Sequence, residues 1–312
     1  MGGSLKIIYA GSPEYAVPAL EKLIESGKNV VAVITQPDKP VGRKQILTPT
    51  PVKLCAQKYG LPVFDFKKLR EHVSEISELG ADIMITCAYG QLLTEDILKI
   101  FPDGVWNLHA SLLPEFRGAS PIQSSILSGQ PHTGVTVMKT ELSLDTGDIL
   151  LVKRCETGSL TCGELSAKLS LLSAEAAVEA VNYIEKGNVQ LLMQDESKAT
   201  YCKKIHKSDC KIDFNASAKQ AYLKIKAFSP EPAAFCAFNG VQLNIFNAEL
   251  YEDVSGAGGR AGEVIFADKR GIAVACGEGA VIITELQPSG GKRMRASDFV
   301  NGRKIKAGDV LD

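Results

Sequence analysis

The first half of the chain alternates short apolar runs with stretches of helical periodicity, the pattern of a parallel β-sheet covered by helices. Strands are predicted at residues 5–10, 30–35, 82–87, 104–109 and 134–139. Helices are predicted at 13–26, 51–59, 120–128 and 161–186, the first capped by the Ser12 hydroxyl and the last by a capping box of Thr161 and Glu164. We therefore expect an α/β domain with a Rossmann-like, mostly parallel sheet.

After residue 208 the pattern changes to short β-rich runs at close spacing. These runs cover residues 233–238, 242–246, 263–267, 272–275 and 280–286, and the glycine-rich segment 256–259 is predicted to be a flexible turn. Short strands with glycine-rich breaks are typical of a small β-barrel, here of the oligonucleotide-binding type. We predict an α/β domain at 1–188, a polar linker at 189–208 and a C-terminal β-barrel domain at 209–312.

The length and composition of the chain indicate a large folded protein that does not span a membrane. The chain has 312 residues, of which 45% are hydrophobic, and this is enough to bury two cores. Its apolar runs are shorter than the ~20 residues that cross a bilayer, so we expect no membrane partner. The N-terminus lacks the pattern of a secretory leader. The eight cysteines are scattered, without a Cys-x-x-Cys pair, which predicts a reduced, cytoplasmic protein without a metal site, and we expect a monomer.

The charge of the chain is nearly balanced but unevenly distributed. The formal net charge is −1, which gives no overall attraction to nucleic acid. Residues 198–226, however, contain eight lysines and only two acidic residues, Asp209 and Asp213. A local basic patch is therefore predicted.

Two polar residues share one face of the strand predicted at 104–109. Side chains alternate between the two faces of a strand, so Asn107 and His109 point one way and Trp106 and Leu108 the other. The carboxyl ends of strands in an open parallel sheet line the ligand crevice. For an isolated Asn-x-His pattern, a structural histidine beside a turn-forming asparagine is the better interpretation, so the neighbouring segments must decide.

Those neighbouring segments resemble the folate-dependent formyltransferase family. The matching parts are Asn107, His109, Ser111-Leu112-Leu113-Pro114, Arg117-Gly118 and the acidic loop at 141–149 with Asp145. Residues 111–118 are similar to the folate-loop signature of the family, and Asn107, His109 and Asp145 fall on its catalytic triad. The resemblance extends over nearly the whole chain and implies that residues 1–188 bind folate and catalyse formyl transfer.

The resemblance implies acyl transfer from 10-formyltetrahydrofolate to an amine. Asn107 would donate a hydrogen bond to the developing oxyanion, His109 would donate or move a proton, and Asp145 would orient or support His109. An α-amino group, with a reference pKa of ~7.7–8.0, has a useful neutral fraction without a strong base. We therefore expect direct attack without a formyl-enzyme, and Cys87 is interpreted as a core residue rather than a nucleophile.

The resemblance also implies which residues form the slot for the reduced folate. They are Ser111, Leu112, Leu113 and Pro114 on one side and Tyr89, Gly90, Gln91 and Leu92 on the other, together with the Asp145 loop. A pterin needs a flat, mainly apolar slot with backbone groups that read its edges. For each leucine taken singly, core packing is an equally good interpretation. Glu115 departs from the basic residue often found there in relatives, which leaves a phosphate contact from that position in doubt.

Other segments are similar to family members that formylate an aminoacyl-tRNA, and they imply methionyl initiator tRNA as the acceptor. Residues 36–43 are similar to the loop after the second strand in those members, and 286–294 and 298–302 to their C-terminal domain. The residues expected to contact tRNA are Lys39, Arg43, Lys44, Lys207, Lys292 and Arg293. Contacts of lysine and arginine with phosphates would give salt-dependent affinity without base readout.

Three other functions compete with this one. A nucleotide-dependent oxidoreductase is disfavoured because residues 11–16 lack the Gly-x-Gly-x-x-Gly fingerprint. A formyltransferase acting on an amino-sugar nucleotide could keep the triad, but the C-terminal barrel and the Arg43 loop argue against it. A non-catalytic folate- or RNA-binding protein is disfavoured because all three reacting groups are present.

Overall fold

The computed structural model describes residues 4–42, 44–251, 259–303 and 305–312. Its strands are β1 (Lys6–Gly11), β2 (Asn29–Ile34), β3 (Lys39–Val41), β4 (Ile46–Thr48), β5 (Val63–Phe64), β6 (Ile83–Cys87), β7 (Val105–His109), β8 (Arg117–Gly118), β9 (His132–Lys139), β10 (Ile149–Glu156), β11 (Tyr201–Cys202), β12 (Ala234–Phe238), β13 (Val241–Tyr251), β14 (Val264–Asp268), β15 (Gly271–Ala275), β16 (Ala280–Pro288) and β17 (Met294–Arg295). Its α-helices are α1 (Val17–Glu25), α2 (Pro51–Lys58), α3 (Val73–Glu78), α4 (Glu95–Leu98), α5 (Pro121–Leu127), α6 (Cys162–Glu185), α7 (Ala218–Phe228) and α8 (Ala296–Arg303). None of the described helices is both long and apolar enough to cross a membrane.

The described chain forms two compact units. Unit 1 comprises Met1–Pro121, His132–Glu156 and Ser166–Cys202, and unit 2 comprises Ile122–Pro131, Thr157–Leu165 and Lys203–Asp312. Part of the segment predicted as a linker lies in unit 1, because Leu192 pairs with Ile149 and β11 pairs in parallel with β8.

The sheet of unit 1 confirms the predicted α/β class. Its order is β10-β9-β7-β6-β1-β2-β5, and β5, β2, β1, β6 and β7 run parallel. β9 and β10 add an antiparallel edge. Every residue of β6 is buried, which explains why this strand appears in the sequence as a continuous apolar run rather than an alternating one. Apolar residues of the sheet, among them Ile8 and Met84, form a core with Leu69, Ile97 and Phe101.

The prediction that Ser12 caps the first helix is wrong. A short 3-10 turn at Glu14–Ala16 precedes α1, and neither element has a side-chain cap. The Ser12 hydroxyl instead accepts a hydrogen bond of 3.0 Å from the Gln36 backbone N–H. At the start of α6, by contrast, the predicted capping box is confirmed. The Thr161 N–H donates to the Glu164 carboxylate over 2.7 Å, and the Glu164 N–H donates to the Thr161 hydroxyl over 3.3 Å.

The sheet of unit 2 closes into the predicted barrel through residues 309–312. β12-β13-β16-β15-β14 are antiparallel neighbours in that order, and β17 pairs with β16. At one edge, Val264 N–H donates to the Asp309 carbonyl. At the other edge, Asp312 and Ala237 exchange two backbone hydrogen bonds of 2.7 and 3.1 Å. These bonds cover part of the edges of β14 and β12. Of the turn predicted at 256–259, only Gly259 lies within the described residues.

Candidate active site

Asn107 lies at the carboxyl end of β7, next to β6. The Thr86 hydroxyl of β6 donates a hydrogen bond of 2.9 Å to Oδ1 of Asn107. The register of the parallel strands explains this contact, because Thr86 and Asn107 are direct partners. The amide nitrogen Nδ2 of Asn107 has no hydrogen-bond partner among the described residues, so its two protons remain able to bind an oxygen atom of a substrate.

His109 ends the same strand and is buried. Its Nε2 lies 3.0 Å from the Phe116 carbonyl oxygen. Because a carbonyl only accepts, Nε2 must carry the proton, and Nδ1 of the neutral ring is then free to accept one. Nδ1 lies 3.7 Å from Oδ2 of Asp145. A proton taken up at Nδ1 would therefore be stabilised by the carboxylate.

Asp145 is held by backbone groups in an uncommon conformation. Its φ of 54° lies in the left-handed region, which a non-glycine residue rarely adopts. The Gly118 N–H donates a hydrogen bond of 2.8 Å to Oδ2, the oxygen that faces His109. Gly118 itself has a φ of 116°, and a Cβ there would collide with the Cys202 carbonyl, so the close approach requires glycine. The structure therefore brings His109 and Asp145 together, and Asn107 lies two residues before His109 on the same strand of unit 1.

The loop predicted to bind folate is anchored on both sides. The Thr136 hydroxyl of β9 donates a hydrogen bond of 2.7 Å to the Ser111 carbonyl and accepts one of 3.1 Å from the Leu113 N–H. The Ser111 hydroxyl donates to the Glu115 carbonyl over 2.6 Å. The Leu113 side chain packs with Met138 and Ile149 in a small core, so it supports the loop. Leu112 and Pro114 are half-buried.

The second predicted wall, at residues 89–92, has two different kinds of side chain. Tyr89 is buried in the core of unit 1, and its hydroxyl has no hydrogen-bond partner among the described residues. Gln91 binds backbone groups instead, since it accepts from the Leu69 N–H and donates to the Phe66 carbonyl. Gly90 and Leu92 are open to solvent, with the Leu92 side chain 83% exposed.

The residues predicted to contact tRNA are largely exposed. In unit 1, Lys39 and Lys44 lie on or beside the β3–β4 hairpin, whereas Arg43 lies outside the described residues. In unit 2, Lys207 and Lys292 are exposed and make no ion pair among the described residues. Arg293 is different, because it forms two hydrogen bonds, of 2.7 and 2.6 Å, with the Glu285 carboxylate and lies over the Phe246 ring.

Seven of the eight cysteines are buried, and Cys155 is half-buried. Cys87 is fully buried, and burial raises the pKa of its thiol to about 12, which keeps it protonated at neutral pH. This confirms the interpretation of Cys87 as a packing residue. No group of three or more His, Cys, Asp or Glu side chains within the described residues could hold a metal ion.

Sequence reasoning did not identify several residues that hold this site. Thr86 orients Asn107, Gly118 binds Asp145, and Thr200 accepts a hydrogen bond of 2.8 Å from the Phe116 N–H. Gly118 belongs to the family motif, but the motif does not indicate that its N–H binds Asp145. Thr86 carried a weak signal, as a polar residue at the end of an otherwise apolar strand.

Comparison with known proteins shows the family of the chain. The family model described as Formyl transferase matches residues 5–181, and that of the Formyl transferase C-terminal domain matches 204–304. The chain is 39% identical to the methionyl-tRNA formyltransferase of Ruminiclostridium cellulolyticum over 98% of this chain and 99% of that protein. It is 41% identical to that of Bacillus velezensis, over 98% and 97%.

A solved structure shares the fold at much lower identity. The crystal structure of HypX from Aquifex aeolicus in complex with tetrahydrofolic acid aligns with a TM-score of 0.66 at 16% identity, over 96% of this chain and 47% of that one. That structure shows the fold alone, whereas the family models and the full-length relatives also show the family. This chain belongs to the formyltransferase family, within its methionyl-tRNA formyltransferase branch.

Proposed function

We infer that the chain transfers the formyl group of 10-formyltetrahydrofolate to the free amino group of methionyl initiator tRNA, giving N-formylmethionyl-tRNA for translation initiation. Relatives named for this activity match nearly the whole chain at 39–41% identity. The observation that carries the chemistry is the approach of His109 Nδ1 to Asp145 Oδ2, at 3.7 Å, on the same strand end as the Asn107 amide.

Each of the three side chains has a role in this reaction. The Asn107 Nδ2 donates a hydrogen bond to the formyl oxygen, which gains negative charge when the amine attacks the formyl carbon. The attacking nitrogen must lose a proton, and Nδ1 of His109 accepts it. The Asp145 carboxylate stabilises the imidazolium that results. The imidazolium then returns the proton to the folate nitrogen that carried the formyl group, as the bond between that nitrogen and the formyl carbon breaks and tetrahydrofolate leaves. A buried thiol such as Cys87 plays no part, and the amine attacks the formyl group directly.

The residues around this site suit a reduced folate. A Cβ built at Gly90 would meet only Nε2 of Gln36, at 3.9 Å, so a flat ring could approach this backbone. The exposed Leu92 and the half-buried Leu112 and Pro114 offer apolar surface. When bound, the folate supplies the formyl carbon, and Ser111 to Pro114 together with Tyr89 to Leu92 form the walls of its slot.

Exposed cations offer contacts for the tRNA phosphates. Lys39, Lys44, Lys207 and Lys292 are exposed and without an ion-pair partner among the described residues, and Arg43 and Arg293 complete the proposed set. We propose that residues 209–312 bind tRNA and that residues 1–188 bind folate. We further propose that the protein is cytoplasmic and monomeric. Light scattering of the purified protein would test the monomeric state.

The function is tested by measuring the acceptor of labelled formyl groups. Purified protein and labelled 10-formyltetrahydrofolate are incubated with methionyl initiator tRNA, with uncharged initiator tRNA, and with an amino-sugar nucleotide. We expect label only on the methionyl-tRNA. Label on the amino sugar alone would replace the proposed acceptor. Tight folate binding without labelling of any acceptor would favour a binding protein.

A further inference from the structure

A buried polar pair, Arg117 and Gln194, connects the segment after α6 to the loop that carries Asp145. Arg117 is fully buried, and Gln194 is nearly so. All five guanidinium N–H groups are used in the described contacts. They donate to Oε1 of Gln194 twice, over 3.2 and 2.9 Å, to Glu196 twice, over 3.0 and 2.7 Å, and to the Tyr201 hydroxyl over 3.1 Å.

This arrangement determines the orientation of the Gln194 amide. Arginine has only donors, so Oε1 of Gln194 must face it. Nε2 then points to the Asp145 loop. It donates a hydrogen bond of 2.9 Å to the Asp145 carbonyl and one of 2.7 Å to the Gly147 carbonyl. Every hydrogen-bonding position of a buried amide is thereby satisfied. A reversed amide would set Nε2 against a cation and Oε1 against two carbonyls.

Asp145 is the residue in the loop that needs such support. Its positive φ is uncommon for a residue with a side chain and persists only where surrounding contacts hold it. Two contacts do so. Gln194 binds its backbone carbonyl, and the N–H of Gly118, which directly follows Arg117, binds its carboxylate. Arg117 therefore takes part in both contacts: its side chain binds Gln194, and its chain neighbour is Gly118.

We propose that Gln194 is a positioning residue for catalysis, which holds the Asp145 carboxylate at His109 and is itself oriented by Arg117. The proposal rests on the proposed role of Asp145 in formyl transfer. Gln194 does not touch the reacting atoms. It acts through the conformation of the 141–148 loop, and Arg117 acts through Gln194.

The test replaces Gln194 by glutamate. The new carboxylate would keep an acceptor for Arg117 and nearly the same volume, but it would lose the donor and set an oxygen against the two loop carbonyls. Displacement of a catalytic group by about 1 Å can cost about 100-fold in rate. We expect Gln194→Glu to lower kcat about 10- to 100-fold, with KM for both substrates within about threefold of wild type. Gln194→Met, which cannot form either set of bonds, should give a similar loss.

The matched control is Gln57→Glu, at an exposed position of α2, which should leave kcat unchanged. A double-mutant cycle separates positioning from general damage. If Gln194 acts through Asp145, Gln194→Glu lowers kcat far less in an Asp145→Ala background than in wild type. An equal loss in both backgrounds, or near-normal kcat for Gln194→Glu, would overturn the proposal.

Amide hydrogen exchange tests the contact between Gln194 and the Asp145 loop without any formyl-transfer assay. The loop is flanked by the Thr140 and Ile149 amides, which are bonded to the Val105 and Leu192 carbonyls. Gln194→Glu should accelerate exchange in the peptide covering 140–149, and Gln57→Glu should not. Unchanged exchange would contradict the proposal even if the protein formylates no tRNA. Wild-type protein that labels no acceptor would contradict the proposed function alone.

Discussion

The Thr86 hydroxyl donates a hydrogen bond of 2.9 Å to Oδ1 of Asn107, which leaves Nδ2 of that amide available to a substrate oxygen. An amide can turn by half a rotation at little steric cost, and the turned amide would use Nδ2 to donate to the Thr86 oxygen, since a hydroxyl also accepts. In the observed orientation Thr86 binds Oδ1, and the donor Nδ2 is directed away from β6. An oxyanion needs a donor at this position.

Replacing Thr86 by valine should impair catalysis more than folding. Valine has the shape of threonine without the hydroxyl, so Asn107 could adopt the unproductive orientation. We expect kcat to fall about 5- to 10-fold, the equivalent of the roughly 1 kcal/mol of one hydrogen bond. Steady-state formylation would measure this, with Thr86→Ser as the matched control. If the serine variant is as slow as the valine variant, the hydroxyl is not the cause.

Asn107→Ala and His109→Ala should each lose most turnover. Removal of one oxyanion donor typically costs about 100- to 1,000-fold in rate, and loss of a proton acceptor costs about as much. Single-turnover formylation would measure both variants. Circular dichroism should show an intact fold, because Asn107 is only half-buried and alanine is smaller than either residue. Near-normal turnover of either variant would refute the role given to that side chain.

The ion pair between Arg117 and Glu196 should make part of the stability depend on pH. The hydrogen bond from Arg117 lowers the pKa of Glu196 below its ordinary value of 4.5. A group whose pKa is lowered on folding stabilises the fold above its unfolded pKa, and this contribution disappears as pH falls through the folded pKa. We therefore expect Glu196→Gln to lower Tm at pH 7 and to differ little from wild type well below pH 4.5.

Thermal denaturation at a series of pH values would measure this difference. The control is Glu78→Gln, at an exposed glutamate that ends α3 and has no ion pair among the described residues. Its Tm should follow that of wild type at every pH. A Tm difference for Glu196→Gln that stays constant from pH 7 to pH 3 would show that the charge of Glu196 is not responsible.

Lys292 and Arg293 should contribute differently to tRNA binding. Lys292 is exposed and unpaired within the described residues, whereas the Arg293 guanidinium is already bound to Glu285. Each phosphate contact adds about 0.9 to the slope of log K against log salt for a duplex. Lys292→Ala should therefore reduce the slope by about one contact and weaken tRNA binding. Arg293→Ala should change the slope less, as filter binding over a salt series would show.

The α/β class and the barrel were predictable from local pattern. Parallel strands that are covered on both faces appear as apolar runs, and short barrel strands appear between turn residues. The sequence therefore predicted β1, β6 and β7 and the strands β12 to β16, but not the short β17. Helix α7 was not predicted, because its lysine-bearing sequence was interpreted only as a charged patch. Ser12 was assigned a cap because the local signal for a helix start was present, but the Gln36 N–H binds its hydroxyl instead.

The chemical groups of the candidate site could be predicted from the amino-acid sequence. Strand alternation sets Asn107 and His109 on one face, and the family motif adds Asp145. Which atoms of these groups face each other depends on the folded chain. The Phe116 carbonyl binds Nε2 of His109, the Thr86 hydroxyl binds Oδ1 of Asn107, and the Gln194 amide binds the backbone carbonyl of Asp145. A hydrogen bond depends on atomic position and direction, and partners up to 49 residues apart meet only after the sheet and its loops have folded.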